Sequence, residues 1–179
     1  MPIQETDILL KLSTKSGSAG NSLTSTPAAS LGKYISQTEL VSASLHNLFP
    51  VVTGDENAAR TVKYRCIFVH NNHATLTHVG VVAWLVSEAS GGCSIAIAID
   101  GVAASVIGSA SAQADEVATE LVAPTGESFT APTSKVTGIS LGDIPAGQCR
   151  AVWVRQTAAA SAAKDSDDVY IRVEGDSGE

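Results

Sequence analysis

The chain has 179 residues, enough for one domain with a buried core, and its apolar share of 44% rules out a solvated, disordered polymer. The formal net charge is −7 and the eleven Lys and Arg residues are scattered, so direct nucleic-acid binding, which needs a concentrated basic patch, is not expected. The only apolar run in MPIQETDILLKLS is four or five residues long and follows an acidic pair, which predicts neither a secretory signal nor a membrane span, and no membrane partner.

In chain order, residues 7–13 (DILLKLS) alternate weakly and predict a short strand. Residues 14–33 (TKSGSAGNSLTSTPAASLGK) are rich in Ser, Gly, Thr and Ala. Twenty residues of loop are unusual inside a compact domain, so an extended loop or N-terminal arm is expected, one able to lie on a neighbouring subunit. Residues 34–52 mix polar and apolar residues like a strand and end in the knot Leu48-Phe49-Pro50-Val51-Val52. Residues 53–60 (TGDENAAR) predict a polar turn.

From there a period of two dominates. TVKYRCIFVHN sets Tyr64, Cys66 and Phe68 on one face and Arg65, Ile67 and Val69 on the other. THVGVVAWLVSE is apolar on both faces, as expected of a central, twice-covered strand. CSIAIAIDG points Ile95, Ile97 and Ile99 inward and Ala96 and Ala98 outward, and Asp100-Gly101 reads as a hairpin signal. Residues 110–121 fit a helical turn or two, but their β-branched, Ser- and Gly-rich flanks favour irregular strand. A short strand, an Ile144–Gly147 turn, a strand over 149–156, a loop and a last strand in DVYIRVEGD complete the chain. Seven or eight short strands with no long amphipathic helix predict an all-β fold over residues 1–179. The expected architecture is a single antiparallel β-sandwich, Ig-like or jelly-roll.

FVHNNHATLTH packs three of the four histidines, His70, His73 and His78, into nine residues. A zinc site needs three or four converging ligands. No acidic residue lies between Arg65 and Ser87, and a Cys66-x3-His70 pair on a strand spans about 13 Å. The expectation is therefore surface histidines at a connection, with no metal and no cofactor. KDSDDVY carries Asp165, Asp167 and Asp168, a set of oxygen ligands that calcium could take, but without the Gly and distant Glu of an EF-hand loop it reads as a solvated loop. No nucleophile elbow and no phosphate loop occurs, so no catalytic set is assigned and an enzyme is not expected. Cys66, Cys93 and Cys149, odd in number and without C-x-x-C spacing, predict buried free thiols, with one disulfide the alternative. Trp84 and Trp153 lie mid-strand and predict core anchors.

Three stretches together resemble tailed-bacteriophage virion proteins. They are ILLKLS followed by TPAASLGKYIS, then NLFPVVTGDENAARTVKYRCIFVHNNHATLT, and finally DIPAGQCRAVWVRQTAAASAAKDSDDVYIRVEGD. Pro50 and Arg60 stand where that pattern has an acidic residue and a Gly- or Asp-like one. The resemblance implies a structural component of a virion assembled in the host cytoplasm. Its foremost reading is a capsid decoration (cement) protein that contacts the major capsid protein or other virion proteins and itself, as a homo-oligomer. The alternative is a tail, baseplate or fibre-associated protein, structural or host-surface-binding.

Overall fold

The computed structural model describes all residues except 89–91, 163, 165, 166 and 179. Among the described residues nine strands carry the fold: β1 (Ile8–Thr14), β2 (Tyr34–Glu39), β3 (Val62–Asn71), β4 (His78–Val86), β5 (Ser94–Ile99), β6 (Ser105–Val106), β7 (Ile139–Ile144), β8 (Gln148–Thr157) and β9 (Tyr170–Ser177). They form two antiparallel sheets. The larger runs β2-β1-β3-β8-β5, with β6 also on β8, and the smaller runs β7-β4-β9. Among the described residues no helix is long and apolar enough to cross a membrane.

The alternation along β3 and β8 decides the layering. These strands pair over nine residues, from Val62↔Thr157 to His70↔Cys149. One face presents Ile67, Val69, Val152 and Val154, joined by Ile95 and Ile97, to Val81, Ala83, Leu85, Leu141 and Ile144 of the smaller sheet. The opposite face presents Cys66, Phe68, Ala98, Cys149, Ala151 and Trp153, and it is buried too. Residues 107–130, which are neither regular helix nor regular strand, lie over it with Ala114 and Val117 as apolar anchors. Ala96 and Ala98 therefore do not face outward as expected; both are buried. The twice-covered strands are β3 and β8. The outer face of β4 is only partly covered: Trp84 is shielded by the Arg172 guanidinium, 5.8 Å from the ring centre.

Backbone accounting explains why the loops adhere. β1 pairs only with residues 67–71 of β3, so the amides of Tyr64 and Cys66 need other partners. They donate to the carbonyls of Glu120 (2.8 Å) and Ser30 (2.9 Å). The second of these bonds corrects the expected arm. Segment 14–33 does not extend away but folds onto its own sheet. Ser30 is fully buried, its hydroxyl donating to the Cys66 carbonyl at 2.6 Å and accepting from Ser13 N at 2.9 Å. Asn21 N donates to Ile35 O and Gly20 N to Ser109 O. Gly32 sits at φ +93°, where a Cβ would run into the Asp115 carbonyl. A run of small polar side chains is what lets this segment satisfy its backbone at so short a range.

Two other expectations change. The strand foreseen over 34–52 ends at Glu39, because Ala43 and His46 both take φ 56° and break the extended run. The turn at 53–60 is a one-turn helix, α1 (Gly54–Ala58), closed at both ends. Thr53 and Glu56 form a reciprocal capping box. At the other end Thr61 N reaches Glu56 O and Arg60 N reaches Asn57 O, a Schellman pattern that puts Arg60 at φ 52°.

Candidate functional site

The histidine segment is a connection between sheets, not a hairpin, since β3 and β4 pair in different sheets. Asn71 ties it down: its side-chain amide donates to the carbonyls of Leu76 and Ile144, both at 2.8 Å. His73 Nδ1 accepts from Leu76 N (2.9 Å) and Thr75 N (3.2 Å). His70 and His78 are not surface residues as expected, being 3% and 4% exposed. Each buries Nδ1 without a hydrogen-bond partner among the described residues. Burial, reinforced by the Lys11 charge, lowers His70 to about 4. Burial also lowers His78, against the opposing pull of the Gly175 carbonyl and Asp176. These are neutral imidazoles packed into the fold.

A different group of side chains converges. Asp100, Asp115 and Glu127 bring one carboxylate oxygen each to within 4.8 Å of one another. They line a cavity of about 440 Å³ together with Thr125, Ser128 and Arg150. Asp100 is fully buried at the end of β5. Its Oδ2 accepts from Trp153 Nε1 at 2.8 Å and from Asp115 N at 2.9 Å, and its Oδ1 accepts from Val102 N at 2.8 Å. Arg150 donates to the carbonyls of Asp100 (3.1 Å) and Val102. Glu127 Oε1 accepts from Gly101 N at 3.3 Å, while Oε2 is buried without a partner among the described residues.

Burial raises the carboxyls of Asp115 and Glu127, and the Asp100 charge raises both further. Three carboxylates at this separation are the donor set of a hard divalent cation. Asp100, however, already receives three N–H donors, so its oxygens hold the 107–130 loop to the sheet. The sequence hides this cluster, because Asp100-Gly101 carries a hairpin signal. β6 pairs with β8 and not with β5, and the aspartate is turned inward to meet a tryptophan.

The other expected ligands stay apart. Asp165 lies outside the described residues, Asp168 is exposed, and Asp167 accepts from Cys93 N at 2.6 Å, tying the loop before β9 to the start of β5. The three cysteines are free thiols; Cys66 and Cys149 are buried and Cys93 is half-buried. Burial drives Cys66 well up, Cys149 to about 12 and Cys93 to about 11, the last with help from Asp167. None is a ready nucleophile.

No protein-family model, no curated protein and no solved structure matches the chain.

Proposed function

We propose that this chain is a structural protein of a tailed-phage particle, working as a decoration protein that binds the major capsid protein and strengthens the shell by contact. The observation that carries the reading is the 40–53 loop. Within eleven residues it exposes Val41, Leu45 and Val51 at 64%, 85% and 68%, while Leu48 and Phe49 anchor it to the body. Apolar side chains grouped on one exposed loop are surface that a partner covers. The segments that resemble virion proteins support it further, because their residues do structural work: Thr53 to Arg60 form the capped helix α1, and Pro145 to Gly147 turn the chain into β8. In a particle, weak contacts of this kind are multiplied by copy number.

Quantifying the chain against the capsid protein in purified particles tests the proposal. A copy number comparable with the capsid protein's is expected. A handful of copies per particle transfers the chain to the tail, and absence from the particle ends the reading.

A further inference from the structure

β9 is the outer strand of the smaller sheet, and its free edge is eight residues long without a proline. Unpaired edges of this length are templates for another strand. The direction of its backbone groups follows from β4. Leu85 N donates to Pro132 O, away from β9, so the Leu85↔Ile171 and Ala83↔Val173 pairs exchange no hydrogen bonds. The N–H and C=O groups of Ile171 and Val173 therefore point out of the sheet, while their side chains pack on the core. Neither residue makes a backbone bond outside the β4–β9 ladder among the described residues.

The charges along this edge select the occupant. Tyr170, Arg172, Glu174 and Asp176 share the outer face, with Tyr170 half exposed and the Arg172 side chain 62% exposed. We infer that β9 pairs with β9 of a second copy of this chain about a two-fold axis at Val173, joining two three-stranded sheets into one of six. In that register Val173 faces Val173 with both backbone groups available. Arg172 of each copy lies opposite Glu174 of the other in a close, non-hydrogen-bonded pair. Tyr170 lies opposite Asp176. Moving the axis to Arg172 keeps the outward backbone groups in step, Ile171 against Val173, but sets arginine against arginine, so the charges select the register at Val173. The intrachain Arg172–Glu174 pair, at 2.8 Å, exchanges partners rather than being lost. This inference stands independently of the virion reading, because it needs only purified protein.

Sedimentation equilibrium over a series reaching about 100 µM chain, well above a micromolar Kd, is expected to show a dimer. Arg172→Glu places like charges opposite each other twice and is expected to raise Kd about tenfold or more. Arg172→Glu with Glu174→Arg restores complementarity and is expected to return Kd to within about threefold of the parent. Hydrogen exchange at the Ile171 and Val173 amides is expected to slow with concentration. A monomer throughout the series overturns the inference. So does a dimer indifferent to Arg172→Glu, or one that leaves those two amides exchanging fast.

Discussion

Replacing Glu120 by Ala tests what holds the outer loop layer to the sheet. Arg65 is 1% exposed and Lys63 4%, two cations buried side by side on β3. Glu120 serves both: one oxygen meets Arg65 Nη2 and the other lies 3.3 Å from Lys63 Nζ. Lys63 keeps a second carboxylate, Glu56, at 2.5 Å, but among the described residues Arg65 has no other, only the Tyr64 carbonyl and the Phe49 ring. Removing one partner of a buried pair costs about 3–5 kcal/mol. The Glu120 side chain is 30% exposed, so water recovers part of this, and about 2–4 kcal/mol is expected. For a chain of this length, about 3 kcal/mol corresponds to a Tm lower by about 6–12 °C. Burial pushes the Glu120 carboxyl up, but Arg65 and Lys63 outweigh it and hold it below its ordinary 4.5. A depressed acid stabilises the fold above its unfolded pKa and loses that contribution as pH falls through the folded one. The deficit of Glu120→Ala should therefore narrow below about pH 4.5, read by urea titration at several pH values. Arg65→Met with Glu120→Leu is expected to recover most of the loss. A loss under about 1 kcal/mol for Glu120→Ala at neutral pH would refute the buried-cation argument.

Three further outcomes are expected. His70, held neutral down to about 4 in the fold against 6.5 unfolded, costs stability as pH falls from 6.5 towards 4, by up to about 3 kcal/mol. Asp115 and Glu127, with raised carboxyls, act in the opposite sense, so the difference between parent and His70→Gln in acid urea titrations isolates the histidine, and parallel curves would remove it. Arg60→Gly relieves a left-handed residue at the end of α1 and should add about 1 kcal/mol, seen as a Tm raised by about 2–4 °C. Asp100→Asn leaves three converging N–H donors facing one acceptor oxygen and an opposed NH2 group, which should cost about 2–4 kcal/mol in urea titration and alter the Trp153 fluorescence.

The strands were legible because their alternation is strong. The split expected between Cys66 and Phe68 on one face and Ile67 and Val69 on the other is the split observed. What misled was any feature whose partner lies far along the chain. Ala98 resembles a solvent-facing residue until the 107–130 layer is laid over it. His70 and His78 look polar and local, yet strand pairing buries both. Small polar residues in 14–33 look like linker, although Ser30 serves a carbonyl 36 positions away. The Thr53-x-x-Glu56 cap is local and readable, though the composition around it is that of a turn.

The same layering bears on where contact can occur. The larger sheet is closed on both faces and, at Tyr64, Cys66 and Ile97, along parts of its edges by loop backbone. The smaller sheet keeps a free edge at β9, and the body keeps an exposed apolar loop at 40–53. The two differ in kind. One offers backbone groups with alternating charge, which suits a copy of itself in register. The other offers side chains without directional bonds, which suits a broad apolar partner. Combining Arg172→Glu with Leu45→Ser separates them. The first is expected to shift self-association alone and the second particle binding alone, because neither residue contributes to the core that holds the other. Loss of both properties from either single substitution would mean one shared surface.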